Sequence, residues 1–251
     1  MEHNQYQSPL GLRYSSPEMS HTFSQEYRIK TWHKMWLEIA RAQHKLGLNV
    51  SAKQIQELEN NTSIDFVKAQ EYEEQVHHDV MAHLHALGDQ CPSAKPILHL
   101  GATSCCITDN GDLIQMKEAL SLIENKLIKT IQQFADFAEK HHNLPCLAYT
   151  HLQPAQPTTL GKRASLWLQD LIMDLYEIEP LIPSLKFRGI KGTTGTQASF
   201  LNLFNGDEKK VKELEKQVAQ SCGFDNIFPI TGQTYPRKQD VTVLNVLCNI
   251  A

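Results

Sequence analysis

Apolar residues recur at steps of three or four along most of the chain, which is the spacing of one face of an α-helix. We predict helices wherever this spacing is sustained, and residues such as Gly47, Gly88, Pro180 and Pro183 are expected to end them. The predicted helices cover residues 33–46, 52–60, 64–87, 112–142, about 158–179, 207–221 and 241–250. The chain is therefore expected to be mostly helical.

The longest predicted helix begins at Asp112 and ends at His142. Neither glycine nor proline interrupts it, and about 31 residues at ~1.5 Å each would span roughly 45 Å. A helix of that length exceeds what a compact globule needs, so it favours an extended helical bundle.

Four polar segments separate the helices and are predicted to be loops. They cover residues 89–110, 149–163, 191–199 and 230–238. The second, YTHLQPAQPTTLGKR, is too rich in proline for a helix interior and too polar for a buried strand, so we predict a helix-breaking loop. Binding sites of helical bundles commonly form where such loops converge.

The last predicted helix stays apolar as far as the sequence runs. Val241, Leu244, Leu247 and Ile250 fall at helical spacing, and neither a glycine nor a polar tail follows them. This ending is typical of a helix that continues, and it predicts that the 251 residues are part of a longer protein.

Composition narrows the class of protein. Hydrophobic residues make up 41% and charged residues 21% of the chain, which indicates a soluble globular protein. The net charge of −4 argues against a nucleic-acid-binding protein, and no apolar run approaches the ~18–20 residues of a membrane span. The polar N-terminus carries no signal sequence, and six cysteines without CxxC spacing suggest reduced thiols in a cytoplasmic protein.

The segment HHDVMAH concentrates ionisable side chains over residues 77–83. A zinc site of the HExxH type needs two histidines four residues apart, and His77, His78 and His83 have no such spacing, so the pattern argues against metal. Asp79 and His83 do share a helix face, which is usual for an intrahelical contact. An anion or substrate contact and plain surface both remain open.

Two short polar stretches could bind an anion. Thr103 and Ser104 follow a tight turn shortly before the longest helix, where hydroxyl and amide donors suit a carboxylate, although a helix cap would use the same residues. Arg13 with Tyr14 could grip a phosphate, or Arg13 could simply be solvated. On residue type alone, each alternative stands.

The segment KGTTGTQAS over residues 191–199 offers three threonines and Lys191 to an anion, without the order of a nucleotide P-loop. Many loops are rich in glycine, so this segment is also consistent with an ordinary turn. His151, in the proline-rich loop, is the best acid–base candidate because imidazole titrates near neutral pH. A lone histidine in a loop is, however, more often structural than catalytic.

Six motifs together resemble the adenylosuccinate lyases, a family of the fumarase/aspartase superfamily, in the same order and at compatible spacing. The motifs are RYSS (13–16), HDVMAH (78–83), HLGATSC (99–105), THLQPAQPTTLGKRA (150–164), KGTTGTQASFL (191–201) and ITGQTYPRK (230–238). The resemblance covers essentially the whole chain. It argues against the alternative of a generic helical scaffold whose loops only end helices.

The resemblance implies an all-α, fumarase/aspartase-like fold with a small N-terminal helical domain over 1–111. A central helical bundle would occupy 112–251 and remain incomplete, with the C-terminal domain absent from this sequence. It also implies a homotetramer whose active sites draw on three subunits, with no metal or organic cofactor. The implied reaction is β-elimination of fumarate from adenylosuccinate and from the succinylated aminoimidazole carboxamide ribotide of purine biosynthesis.

The family's binding residues carry over to matching positions. Arg13 and Tyr14 match the pair that holds the nucleotide phosphate, and His78 and Asp79 match residues that line the substrate site. Four further positions match the family: Thr103 and Ser104 match the pair that binds a succinyl carboxylate, Gln233 matches a substrate-binding glutamine, and His151 matches the general acid. Thr150, Lys191, Thr193 and Thr194 are weaker candidates for supporting contacts.

Two departures from the family qualify this expectation. His77 stands where relatives commonly have an arginine, so one phosphate-binding charge is missing or depends on pH. No residue matches the mobile SSxMPxKxN segment, whose serine is the family's base, so we expect the chain alone to be inactive. The alternatives are an inactive assembly or substrate-binding fragment, or another lyase of the superfamily, against which QPAQPTT and TGTQAS argue.

Overall fold

The structure, a computed structural model, describes residues 8–251 and is predominantly helical, which confirms the predicted all-α class. Residues 1–7, where we expect no signal sequence, lie outside the described residues. The helices are α1 Pro9–Arg13, α2 Pro17–Thr22, α3 Gln25–Lys45, α4 Ala52–Asn60, α5 Phe66–Val76, α6 Asp79–Gln90, α7 Ser104–Lys140, α8 Leu160–Ser184, α9 Ala198–Leu203, α10 Glu208–Ser221 and α11 Lys238–Ile250, with a 3₁₀ turn at Lys95–Ile97.

Two small sheets accompany the helices. Strands β1 (Pro145–Thr150) and β2 (Gln153–Thr159) form an antiparallel hairpin, and β3 (Lys186–Phe187) pairs in parallel with β4 (Asn226–Ile227). None of the helices in residues 8–251 is long and apolar enough to span a membrane.

The chain divides into two compact units. Unit 1 contains residues 8–118 and Leu185–Pro236, whereas unit 2 contains Ala119–Ser184 and Arg237–Ala251. Helix α7 therefore supplies residues to both units. The domain boundary expected between residues 111 and 112 stays a prediction, because compactness does not define a family's domains.

Local capping explains where the early helices begin. Helix α3 starts at Gln25, earlier than the predicted residue 33, because the Ser24 hydroxyl accepts a hydrogen bond from the Tyr27 amide at 3.1 Å. Helix α4 has the predicted bounds, and Ser51 and Gln54 form a reciprocal capping box at its start.

The prediction of a single helix over residues 64–87 is wrong. The chain forms α5 and α6 instead, because His77 adopts a left-handed conformation (φ 51°) and His78 is extended. No glycine or proline marks this break, so the apolar spacing runs through it. Helix α6 also continues past Gly88, the expected stop, to Gln90.

Helix α7 begins at Ser104, so the second part of the loop predicted over 89–110 is helical. Gly111 lies inside this helix. A Cβ atom there would stand 3.2 Å from Cδ1 of the fully buried Trp32, so glycine lets the indole of α3 pack closely on α7.

Helix α8 runs through Pro180 and Pro183 to Ser184, whereas both prolines were expected to close it. Ile178, Leu181 and Ile182 are buried around them, and this packing keeps the last turns helical although each proline lacks an amide donor.

At the start of α8, a Cβ on Gly161 would lie 2.2 Å from the carbonyl oxygen of Ala138, so only glycine permits this close crossing of α7.

The predicted loop over 149–163 is mainly a β-hairpin, which corrects the prediction. Strands β1 and β2 pair from Pro145–Thr159 to Thr150–Gln153, with an irregularity between Leu147 and Tyr149. Most of its residues are exposed, so the polar composition that argued against a buried strand is compatible with an exposed one. Helix α8 follows directly.

The later helices agree well with the apolar spacing. Helix α10 matches the charged segment predicted over 207–221, with Asp207 capping the amides of Lys209 and Lys210. Helix α9 begins inside the segment predicted as a loop over 191–199, and α11 begins at Lys238 rather than at residue 241.

Histidines and tryptophans pack together in unit 1. The His83 ring lies 5.7 Å from the Trp32 ring, and the Trp36 indole donates a hydrogen bond to Nδ1 of His99 at 3.1 Å. Burial lowers the pKa of His33 to about 4, assisted by the charge of His83, whose own pKa burial also lowers. Burial and the nearby His78 likewise lower the pKa of His99 to about 4.

These histidines predict a pH-dependent stability. In the unfolded chain each takes up a proton near pH 6.5, whereas folded His33 and His99 remain neutral down to about pH 4. Between these values the unfolded state binds more protons, so stability decreases as the pH falls from 7 towards 4 and these groups add no further loss below that. Thermal unfolding at pH 7, 6 and 5 should show the decrease.

The matched variants are His33→Gln, which should reduce the slope of melting temperature against pH, and His151→Gln, an exposed control, which should leave the slope unchanged. A melting temperature that is constant from pH 7 to pH 5 would contradict the conclusion that half-buried His33 and His99 stay neutral in the folded protein.

Candidate functional site

Two of the predicted binding motifs meet in unit 1. His78 directly precedes α6 and Ser104 is the first residue of α7, and a hydrogen bond of 3.0 Å joins Nε2 of His78 to the Ser104 hydroxyl. These residues are 26 positions apart in the chain. The structure therefore brings together an imidazole and a hydroxyl that the sequence analysis assigned to one substrate site.

Asp79 and His77 flank this pair. Oδ1 of Asp79 lies 3.5 Å from Nδ1 of His78 and accepts a hydrogen bond from the Val80 amide at 2.7 Å. The side chains of His78 and Asp79 are about half exposed, at 43% and 51%, so both are accessible to a ligand. His77 is exposed in the break between α5 and α6.

Backbone hydrogen bonding and side-chain packing fix the turn that precedes α7. Thr103 is buried, and its carbonyl oxygen accepts the Cys106 amide at 2.8 Å as the helix starts. Gly101 has a φ of 76°, and a Cβ there would stand 2.9 Å from the side chains of Phe200 and Leu203. The first amides of a helix carry partial positive charge, so this turn presents amide and hydroxyl donors suited to a carboxylate.

Helix α3 supports the same turn through two polar contacts. The Gln43 side chain donates to the carbonyl oxygen of Leu100 at 3.1 Å, and Trp36 donates to His99. Because Nδ1 of His99 accepts that bond, neutral His99 carries its proton on Nε2. Neither Gln43 nor His99 was assigned a role from the sequence; the position of His99 inside HLGATSC was the available signal.

Lys191 does not offer a free cation to a ligand. It is buried, and its ammonium contacts the Glu215 carboxylate at 2.6 Å, the Phe228 carbonyl oxygen at 2.9 Å and the Arg188 carbonyl oxygen at 3.1 Å. An ammonium has three donors, so these contacts use them all. Its proposed role beside an anion is therefore replaced by a structural one, whereas the threonines at 193 and 194 are exposed.

The segment around Gln233 is fixed by a residue that the motifs did not identify. Arg188 is fully buried, and its Nε donates to the carbonyl oxygen of Gln233 at 2.8 Å. The Gln233 side chain is exposed. Arg188 lies outside all six motifs, so its role could not be predicted from the sequence and is seen only in the structure.

Arg13 and Tyr14 lie at the end of α1, and both are exposed. Within residues 8–251, neither side chain is joined to His78 or Ser104 by a hydrogen bond or an ion pair. Their phosphate-binding role stays a prediction. Nor does this part of the chain assemble three or more histidine, cysteine, aspartate or glutamate side chains that could hold a metal ion.

His151 belongs to unit 2, so its surroundings are described separately from those of the other site residues. It lies at the tip of the β1–β2 hairpin with a φ of 49°, and Leu152 follows with a φ of 60°. Two-residue turns with positive φ at both positions favour asparagine and glycine, so a His-Leu pair is strained. The turn keeps His151 exposed at the tip, where it is accessible for proton transfer.

Solved structures share this fold. The 3-carboxy-cis,cis-muconate lactonizing enzyme from Pseudomonas putida aligns with a TM-score of 0.78 and 24% identity, covering 96% of this chain and 55% of that one. The fumarate lyase from Mesorhizobium sp. BNC1 aligns with a TM-score of 0.77 and 22% identity, covering 92% of this chain and 53% of that one. At this identity the likeness establishes the fold, and it confirms the fumarase/aspartase-like architecture.

Curated relatives are more similar in sequence. The adenylosuccinate lyase of Saccharomyces cerevisiae is 48% identical, over 100% of this chain and 53% of the relative. Those of Schizosaccharomyces pombe and Schistosoma mansoni are 47% and 44% identical, over 99% of this chain and 52% of each relative. The chain thus spans about half the length of the curated relatives it matches.

The family is also identified by its own sequence model. A family model described as Lyase matches residues 13–244, which include every candidate site residue from Arg13 to Gln233. The resemblance read from the six motifs is confirmed by the adenylosuccinate lyases that match over the whole chain. The chain therefore belongs to the lyase family.

Proposed function

We propose that the chain supplies the general acid and much of the substrate-binding surface of an adenylosuccinate lyase. The observation that carries the proposal is its 44–48% identity to three such enzymes over nearly its whole length. The His78–Ser104 hydrogen bond supports it, because it unites two of the motifs in one place. The reaction is cleavage of adenylosuccinate to AMP and fumarate.

The chemistry needs two kinds of group. β-Elimination removes a proton from the carbon next to a carboxylate and breaks the bond between the neighbouring carbon and nitrogen. The leaving nitrogen must receive a proton, and we assign that step to His151. Charge that builds up on the carboxylate needs fixed donors, and Thr103 and Ser104 at the start of α7 provide hydroxyl and amide groups for it.

The remaining roles follow from residue type and accessibility. We assign the nucleotide phosphate to Arg13 and Tyr14, whose exposed side chains offer a guanidinium and a phenol. His78 and Asp79 line the substrate beside Ser104, with His77 as a further, pH-dependent contact. Gln233 presents an exposed amide that can both donate and accept hydrogen bonds.

The base is assigned to residues outside this sequence. The chain spans about half the length of its curated relatives, and no segment of it matches the serine-bearing SSxMPxKxN pattern. We propose the same reaction on the succinylated aminoimidazole carboxamide ribotide, and hence a place in AMP and IMP biosynthesis. The six free cysteines favour a cytoplasmic enzyme, where thiols stay reduced.

We further propose that the enzyme is a homotetramer. Helix α8 of unit 2 exposes large apolar side chains, including Trp167 at 54%, Met173 at 59% and Tyr176 at 69%. Helix α11 exposes Val241 and Leu244. Apolar surface on several helices of one unit favours association with other subunits.

Ligand binding tests the proposed function. Titration calorimetry of the purified chain should show adenylosuccinate binding at least about tenfold more tightly than argininosuccinate. Ser104→Ala should weaken adenylosuccinate binding about tenfold or more, because a hydrogen bond to a carboxylate is lost. Ser221→Ala, at the end of α10, is the matched control and should bind normally.

Turnover is a separate readout of the same preparation. Since the base is assigned elsewhere, we expect the chain alone to cleave adenylosuccinate at less than about a thousandth of an ordinary rate of ~10 s⁻¹. Faster cleavage would show that the base lies within these 251 residues. Equal binding of adenylosuccinate and argininosuccinate would favour another lyase of the superfamily.

Association is predicted to depend on the exposed apolar side chains of α8. Light scattering should give a mass above the 28.5 kDa of a single chain. Trp167→Glu with Met173→Glu should lower that mass by placing charges in the interface, whereas Gln220→Glu, at an exposed position on α10, should not. A monomer for the unsubstituted chain at micromolar concentration would argue against the proposed assembly.

A further inference from the structure

Arg188 joins two polar loops of unit 1 that lie far apart in the sequence. We call residues 191–197 the threonine loop and residues 230–236 the glutamine loop. The Arg188 guanidinium donates to Lys191 O at 2.9 Å and Gly192 O at 3.1 Å in the threonine loop, and to Gln233 O at 2.8 Å in the glutamine loop. A longer contact of 3.4 Å reaches Gly189 O.

The shape of the guanidinium makes this bridge specific. Its five donors lie in one plane at fixed angles, so carbonyl oxygens on two loops are held at a set separation. The three donors of a lysine ammonium all lie on one nitrogen, so they cannot reproduce the spacing of the guanidinium donors that reach both loops. Arg188 is fully buried, so water does not compete for the bonds.

A second feature fixes the same two loops. Gly195 of the threonine loop has a φ of 78°, and a Cβ there would stand 1.9 Å from the carbonyl oxygen of Thr231. The two backbones are therefore in direct contact. Only glycine fits this position, both for its φ and for the space.

The glutamine loop and the residues just before the threonine loop are also anchored to α7. Asn110 accepts the Arg188 amide at 2.9 Å and donates to Gly189 O at 3.2 Å, and neighbouring Asp109 accepts the Tyr235 amide at 2.9 Å. The helix that begins at Ser104 is thus the common support. A change in the bridge would move the loops relative to the donors at the helix start.

We propose that Arg188 is a positioning residue, which sets the backbone of Gln233 and the exposed threonines 193 and 194 relative to Ser104. It acts through the loops, since its own side chain is sealed from solvent. The inference rests on the proposed function in one respect, namely that Gln233 contacts the substrate. No motif assigns Arg188 a part in the site.

Hydrogen–deuterium exchange tests the bridge without a ligand. Arg188→Lys should speed exchange of the amides of Gly192, Gly195 and Tyr235 by about tenfold or more, because these loops open locally, while α10 stays protected. Arg41→Lys is the matched control: it makes the same change on the surface of unit 1. Unchanged exchange in both loops would overturn the proposal.

A double-mutant cycle on adenylosuccinate binding tests the effect on the site. Arg188→Lys should weaken adenylosuccinate binding about tenfold. In the Gln233→Ala background the same substitution should weaken binding less than about threefold, because Arg188 acts on the substrate through Gln233. A purely destabilising substitution would give the same loss in both backgrounds, and that result would overturn the positioning role. A loss below about twofold in the unsubstituted background would overturn it too.

The two measurements separate the proposals. If the unsubstituted chain fails to bind adenylosuccinate, the proposed function fails, and the exchange experiment alone decides whether Arg188 holds the loops. If Arg188→Lys does not fold, as circular dichroism would show, Arg188→Gln replaces it in both experiments. Glutamine keeps a planar donor group and removes the buried charge.

Discussion

The guanidinium of Arg188 lies fully inside unit 1 and donates hydrogen bonds to backbone carbonyl oxygens of two loops. A buried cation is costly to desolvate, so the fold is stable only while those carbonyl oxygens stay in place. Lys191 and Glu215 form a largely buried ion pair nearby, and a Cβ on Gly189 would clash with both side chains. Two segments that look like flexible, glycine-rich loops are therefore rigidly held.

This constraint links the candidate site of unit 1 to the longest helix. Asp109 and Asn110 bind the segments on either side of the bridge, and both lie within two turns of Ser104. Gln43 and Trp36 hold the turn before Ser104 from α3. The donors proposed to bind the substrate carboxylate are thus supported from several sides, which is the preorganisation that electrostatic stabilisation requires.

Within residues 8–251, three histidines have left-handed backbone: His77, His99 and His151. His77 is left-handed between α5 and α6, and the His151–Leu152 turn has positive φ at both residues. Each conformation is unfavourable for such side chains, and surrounding structure must impose it. In the first case the break ends α5 and lets α6 start beside His78; in the second, the hairpin tip exposes His151.

Apolar spacing predicted α4 and α10 closely because capping residues and a polar face marked their ends. It could not show the break at His77, which has no glycine or proline, nor the β1–β2 hairpin, whose strands are exposed and polar. The helical turns at Pro180 and Pro183 depend on the packing of neighbouring buried side chains, which the spacing of apolar residues does not predict.

The site was partly predictable for a different reason. The order of six motifs identified the family, whereas spacing alone left each motif ambiguous between a turn and a ligand contact. Lys191 was misassigned because its partner Glu215 lies 24 residues further along the chain. Arg188 carried no signal at all, since its hydrogen bonds are to backbone atoms that every residue has.

The central claim is that the start of α7 receives the succinyl carboxylate. A crystal structure of the chain with adenylosuccinate tests it most directly. We predict a carboxylate oxygen within about 3 Å of the Ser104 hydroxyl, with the Thr103 hydroxyl as its second donor. A bound ligand whose carboxylates lie away from both residues, leaving Ser104 hydrogen-bonded to His78 alone, would contradict the claim.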